Sequence, residues 1–217
     1  SWLVALGTAP TTNAVVKLSV VNDPTTFDAY SLPFTLKGLK VDVPTVGTTW
    51  ALGATETIEV LAAGAGNSVN MYYAPDGVSF DTANPISIGA TISDGPNNLP
   101  WSIETFRVPS TNARIRVDSV LTDATIDSDP FTMAGILVTD PTSADIWAGT
   151  ETNHIEWIAV GTSGNFKIEL LDSGDSVIAT VSTNVAGTTF DWPTPGGVAG
   201  TGLKIRVTEL GGSYVGI

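Results

Sequence analysis

The sequence predicts an all-β protein, and three observations carry that expectation. Apolar and polar residues alternate with period two through most of the chain, the pattern of strands with one packed and one solvated face. Thr, Val and Ile are abundant, while 22 Gly and 13 Pro interrupt the chain every few residues, the composition of strands joined by tight turns. A long stretch of sequence also recurs, and almost no window longer than ten residues places apolar side chains at helical spacing.

Pro33-Phe-Thr-Leu-Lys-Gly38 returns ninety-seven residues later as Pro130-Phe-Thr-Met-Ala-Gly135, and at the same offset Trp50 meets Trp147. Each Trp stands shortly before a Gly and then a strand. A third copy is cut by the chain ends: Trp2 through Pro10 matches Trp101 through Pro109 at an offset of ninety-nine, and TNAVVKLSV, TNARIRVDS and TGLKIRVTE are three versions of one strand. Copies of this length signal tandem structural units.

The copies agree in side-chain parity. Val16 and Leu18, Ile115 and Val117, and Ile205 and Val207 form one face of the late strand. Val15 and Lys17, Arg114 and Arg116, and Lys204 and Arg206 form the other. Val69, Met71 and Tyr73 correspond in the same way to Phe166, Ile168 and Leu170, and Ile58 and Val60 to Ile155 and Trp157. A slip of one residue would exchange the faces, so shared parity argues for shared packing. The expected fold class is tandem immunoglobulin-like antiparallel β-sandwiches.

Taken in order, residues 1–36 read as the last strands of a preceding, partial module. Module A spans 37–133, with strands near 39–43, 55–61, 68–74, 86–92, 102–108, 112–120 and 131–134. Module B spans 134–217, with strands near 136–139, 152–158, 165–171, 176–183, 187–191 and 203–209. Asp76-Gly77, Asp94-Gly95 and Ser173-Gly174 supply reversals between them. The junctions are short, so a stiff array is expected. The open module at the start should expose an unpaired edge and an uncovered core unless further strands complete it.

Charge narrows the function. The chain has 22 acidic and 9 basic residues, a net charge of −13, which repels nucleic acid and anionic lipid. No cysteine is present, which excludes disulfides and thiolate metal sites. No apolar run approaches the roughly 20 residues that span a bilayer, so no membrane insertion is expected. Ser1 carries neither an initiator Met nor a signal peptide, as in a mature chain or a fragment.

The pattern DIWAGTETNHIEW … FKIELLDSGDSVIATV … FDWPTP … LKIRVTEL resembles the Ser/Thr-rich GPI-anchored membrane family domain. The match covers Ile136 to Ile217 well and module A less well, since A inserts residues around Ser93 to Trp101 and carries Phe106-Arg107-Val108-Pro109 in place of Phe190-Asp191-Trp192-Pro193. The resemblance implies an immunoglobulin-like extracellular module that acts as a spacer or surface scaffold, without catalytic residues. No GPI signal or Ser/Thr-rich tail accompanies it.

Several residues are candidates for chemistry. His154, the single histidine, has outward parity and no G-x-S-x-G elbow to serve, so no enzyme is expected. Acids gather at the junctions: Asp23, Asp28 and Asp42 at the first, and Asp123, Asp127, Asp129, Asp140 and Asp145 at the second. Two readings stand side by side here, Ca²⁺ held by hard oxygen ligands from both flanks or acids solvated in turns. The six tryptophans suggest core packing more than a sugar platform, which leaves Tyr72 as the best exposed aromatic for a cell-surface glycan. Lys17, Arg114, Arg116, Lys204 and Arg206 concentrate more than half of the nine bases on one strand type. Two readings apply again: a charged outer face that resists sheet aggregation, or a stripe that meets an acidic face of a neighbouring subunit.

The function expected from these features is that of a structural repeat in an extracellular or cell-surface assembly, such as an S-layer, filament or adhesin stalk, which self-associates into a polymer or lattice. A mean hydropathy of +0.22 fits sizeable apolar contact between subunits. A phage or viral appendage fits the same features. The alternative is a glycan-binding module or an accessory region of a secreted carbohydrate-active protein.

Overall fold

The computed structural model describes residues 8–21 and 23–217, the side chains of 23–27 excepted, and among these it is all-β with no helix. The first strands are β1 (Thr11–Ala14), β2 (Lys17–Val20), β3 (Asp23–Tyr30), β4 (Phe34–Leu36), β5 (Gly38–Val43), β6 (Thr49–Ala51) and β7 (Thr55–Ala63). Next come β8 (Ser68–Ala74), β9 (Ser87–Thr91), β10 (Gly95–Ser102), β11 (Ser110–Ser119), β12 (Thr125–Asp127) and β13 (Phe131–Asp140). The last are β14 (Thr152–Val160), β15 (Asn165–Leu171), β16 (Val177–Ala186), β17 (Thr189–Pro193), β18 (Lys204–Glu209) and β19 (Val215–Gly216).

The chain falls into two compact units. Unit 1 takes in the chain as far as Val46, with Glu56–Trp101 and Arg114–Pro130; unit 2 takes in Gly47–Thr55, Ser102–Ala113 and Phe131–Ile217. In unit 1, β10, β7 and β5 make one sheet, while β9, β8 and the Arg114–Ser119 part of β11 lie side by side with β12 on the far edge. Alternation sends Ile58 and Val60 of β7, Val69, Met71 and Tyr73 of β8, and Ile115 and Val117 of β11 into the interior, each at most 2% exposed. Tyr73 meets Trp101 of the other sheet with ring centroids 5.7 Å apart, so the two layers lie face to face.

Unit 2 repeats the plan. One sheet runs β17-β14-β13 and the other β16-β15-β18-β19. Ile136, Ile155, Trp157, Phe166, Ile168, Leu170, Trp192, Ile205 and Val207 are buried together between them. Trp157 of the first sheet packs edge-on against Phe166 of the second at 5.4 Å. Burial of an aromatic pair of this size stabilises a domain by several kcal/mol. At the start of β13, Met133 pairs in parallel with Trp50 of β6 and in antiparallel with Ser110. Both units are immunoglobulin-like antiparallel β-sandwiches in tandem along the chain.

Glycine marks the repeat. Gly38 and Gly135, which close the two PFT-x-x-G copies, adopt φ of +157° and +150°. A Cβ at Gly135 would stand 2.7 Å from Cγ of Leu52, so both conformation and space require glycine there.

Residues 11–36 reproduce the geometry of residues 110–133. β1 pairs β4 with Thr11 opposite Leu36 and Ala14 opposite Phe34, and Ser110 stands likewise opposite Met133 and Ala113 opposite Phe131. The amide of Ser31 donates to Val16 O at 2.9 Å, and the amide of Val16 to Ser31 Oγ at 3.0 Å. Ser128 and Ile115 exchange the same two bonds at 2.7 and 3.0 Å. Packing differs: Val117 is fully buried, whereas its counterpart Leu18 is 68% exposed, so the expected inward face of Val16 and Leu18 is uncovered at Leu18.

The expected strand at 102–108 is replaced by β10, which ends at Ser102. Asn97 holds the entry to β10, accepting from the Ser93 amide at 2.8 Å and donating to Ser93 O and Gly95 O at 2.9 Å. The following residues form a turn in which Arg107, 3% exposed, donates to Glu104 at 2.9 Å while Phe106 points outward. The short β6, β12 and β19 were not expected, and 131–134 and 136–139 join as the single strand β13.

Candidate functional site

The late strands bear the least expected feature of the sequence, and each of their bases has a partner within the chain. Arg116 on β11 stands opposite Asp127 on β12, which places a two-point ion pair with Nε–Oδ1 at 2.7 Å and Nη2–Oδ2 at 3.0 Å. Its guanidinium also lies 4.0 Å from the centroid of Phe80. The Asp127 hydrogen bond raises the Arg116 pKa. Arg114 donates to Ser128 O at 2.9 Å. Lys17 reaches Asp28 at 2.8 Å and sits 5.9 Å from the Tyr30 ring. That hydrogen bond raises the Lys17 pKa, with Tyr30 adding to it, and lowers that of Asp28.

In unit 2, Arg206 donates through Nε and Nη2 to Glu169 Oε2 at 3.0 and 2.7 Å, and Lys167 holds the other oxygen. Glu169 is 5% exposed. The Lys167 hydrogen bond, with Arg206 adding to it, holds its carboxyl below the ordinary range although burial opposes this. Lys204 reaches Asp175 at 2.7 Å. β11 lies between β8 and β12, and β18 between β15 and β19. On β11 and β18 the stripe therefore occupies the outer face of interior strands, where neighbouring strands of the same unit neutralise it, while Lys17 lies on β2, which pairs β3. An acidic face on a neighbouring subunit finds these cations already engaged.

Two of the acids at the second junction are similarly committed. Asp127 serves Arg116, and Asp145 accepts from the Thr142 amide and hydroxyl at 2.6 and 2.7 Å, bonds that lower its pKa. Asp123 and Asp129 are exposed, Asp140 is half-buried, and the side chain of Asp23 lies outside the described residues. Among the described residues no three of His, Cys, Asp or Glu are grouped to hold a metal ion. Asp76 caps its own turn, accepting from the amides of Val78 and Ser79 at 2.9 and 2.7 Å. The Ser79 side chain and these amides lower its pKa to about 2.

Trp50, Trp101, Trp157 and Trp192 are buried. Trp50 meets Phe131 edge-on at 5.1 Å, and the half-buried Trp147 meets Trp192 at 6.2 Å. The two repeat tryptophans thus share an aromatic edge contact, but only Trp50 lies on a paired strand among the described residues. Trp2 lies outside the described residues. Tyr72 is half-buried on the outer face of β8, opposite Arg116. Sequence reasoning missed the pair between His154 Nδ1 and Asp191 Oδ1 at 2.7 Å, which raises the histidine pKa. Their parity shows outward orientation, but their meeting requires the β14–β17 register. His154 is 48% exposed on an open strand surface.

No protein-family model matches the chain, and no curated protein matches it. Among solved structures it is similar to the fibronectin(III)-like modules of Clostridium thermocellum CbhA, at 15% identity and TM-score 0.27 over 82% of this chain and 89% of that one. It is similar to a tetra-tandem repeat from the extending region of a large adhesion protein, at 16% identity and TM-score 0.34 over 88% of this chain and 50% of that one. It is also similar to the I9–I11 tandem of titin, at 11% identity and TM-score 0.29 over 94% and 72%.

Proposed function

We propose that the chain is a non-catalytic structural segment of an extracellular or cell-surface assembly, such as an S-layer, filament or adhesin stalk. Modules A (37–133) and B (134–217) serve in it as spacers that pack against further copies. The observation that carries this reading is the engagement of charge inside each copy: the β2–β3 hairpin carries the Lys17–Asp28 ion pair, and the β11–β12 hairpin carries Arg116–Asp127. An active site gathers perturbed titratable groups in a cleft. The perturbed carboxylates here, Asp28, Asp76, Asp145 and Glu169, are instead held singly, by a turn or by a strand pair.

The resemblance of residues 136–217 to the Ser/Thr-rich GPI-anchored membrane family domain supports the spacer role and the extracellular setting. Because the bases are engaged within the chain, packing between copies rests on apolar contact. Negative-stain microscopy of the native material tests the reading. An ordered polymer or lattice is expected, and isolated particles at every concentration would contradict it.

A further inference from the structure

One corner of unit 2 is built around a tyrosine, and the matching corner of unit 1 is a cavity. The two corners correspond bond by bond. Gly38 faces Ala63 across β5 and β7, and Gly135 faces Val160 across β13 and β14. Gly64 and Gly161 follow, with φ of +55° and +73°. On the other wall, the Ser119 amide donates to Ala124 O at 2.8 Å, and the Glu209 amide to Tyr214 O at 3.0 Å. The next amides agree as well: Val120 donates to Ser68 O at 3.0 Å, and Leu210 to Asn165 O at 2.8 Å. Ala124 therefore stands where unit 2 has Tyr214. The tyrosine packs on the core of its unit, and its hydroxyl lies 4.0 Å from where a Cβ on Gly161 would be. A tyrosine here spans the corner as far as the glycine, and an alanine does not.

Ala124 and Gly64 line a cavity of about 270 Å³ together with Lys37, Ala65, Thr122 and Asp123. Its floor is fixed by the fold. The Gly64 amide donates to Asp94 Oδ1 at 2.7 Å, and the Ser119 hydroxyl donates to Ala65 O at 2.6 Å. Ala65 is buried, whereas Lys37 and Asp123 stand exposed at the mouth. We propose that this cavity is a binding site for a small phenol, whose ring takes the place that the Tyr214 ring holds in unit 2. An apolar cavity of about 150 Å³ is enough to hold benzene, so a single ring fits. In unit 2 the hydroxyl is directed at Gly161. The equivalent Gly64 is covered by the stem of Lys37, whose Cγ lies 2.9 Å from where a Cβ would be. A phenol oxygen at that end comes within reach of the Lys37 ammonium, and Asp123 supplies an acceptor for its proton. The spacer reading stands independently of this inference.

The probe is p-cresol, the side-chain analogue of tyrosine. Titrated into the intact chain, it is expected to shift the methyl resonances of Ala65 and Ala124 with a Kd of about 1 mM, the range open to so small a ligand. Toluene lacks the hydroxyl and is expected to bind about threefold more weakly or worse. Ala124→Tyr fills the cavity from within. It is expected to keep at least the melting temperature of the parent and to weaken p-cresol binding, followed at Ala65, about tenfold or more. Tyr214→Ala opens the same corner in unit 2, and p-cresol is expected to raise its melting temperature more than that of the parent. Unmoved Ala65 and Ala124 methyls, equal binding of toluene, or binding that survives in folded Ala124→Tyr overturns the proposal. Should Ala124→Tyr fail to fold, a Tyr214→Ala chain that p-cresol does not stabilise overturns it. Shifts of the same methyls that grow with protein concentration in the absence of p-cresol assign the cavity to a side chain of another copy and also overturn it.

Discussion

Lys17 stands opposite Tyr30 and reaches diagonally to Asp28 at 2.8 Å across the β2–β3 hairpin, whereas its counterpart Arg116 meets Asp127 directly opposite on β12. Lys17 is half exposed, and such pairs add little to stability. Its significance is geometric. Two hairpins whose strand pairs and serine bridges coincide are copies of one unit, and they differ in the acid that meets the base and in the burial of Leu18 and Val117.

Glu169 is the carboxylate with most at stake, because it is buried and holds both Lys167 and Arg206. Glu169→Ala is expected to lower stability by about 2 kcal/mol, since the cations lose their partner while partly shielded from water. Arg206→Ala is expected to cost less, about 1 kcal/mol, and the double variant less than the two together. Denaturant unfolding of the four proteins measures this. Additive losses would mean that the pair is not coupled.

Acid should weaken the fold through identified groups. Asp76 is lowered from 3.8 to about 2 by the Ser79 side chain and then by its turn amides, so its contribution is complete above 3.8 and is lost as pH falls through about 2. Glu169 acts with the same sign, its contribution complete above 4.5 and lost below. Carboxyl NMR titration is expected to place Asp76 lowest, and Ser79→Ala to raise it. His154 moves oppositely: its raised pKa means that its contribution is present below 6.5 and is lost as pH rises through the folded value.

Gly135→Ala is expected to destabilise by about 2 kcal/mol, from the φ of +150° and the approach of Leu52. The double variant with Leu52→Ala separates the two causes: it relieves the steric part and leaves the backbone part. Thermal melts of the single and double variants check this.

Chelation is expected to leave the melting temperature unchanged. Asp127 and Asp145 are engaged with Arg116 and Thr142, and among the described residues no three ligands converge. A rise on addition of Ca²⁺ would show that the junction acids gather around the ion.

Parity was legible because a sandwich strand has one inner face. Ile115, Val117, Ile205 and Val207 were expected inside and are at most 3% exposed. The bases were legible as a face but their partners were not. Arg206 meets Glu169 from thirty-seven positions away, and only the β15–β18 register brings them together. The strand expected at 102–108 is instead a turn at Phe106 and Arg107, where Arg107 is buried and paired with Glu104 while the Phe106 ring is exposed. Alternation in an apolar segment does not distinguish a strand from a turn organised by a buried charge. β12 and β19 are too short to show a period.

Hydrogen exchange on the intact chain tests most directly whether successive copies of one two-layer unit make up the protein. The account predicts slowest exchange at the interior strands β8 and β11 of unit 1 and β15 and β18 of unit 2, in matched pairs, with the edge strands β9 and β16 exchanging faster. Exchange at β11 or β18 as rapid as in the 75–86 loop, or protection that bears no relation between the paired strands, would contradict it.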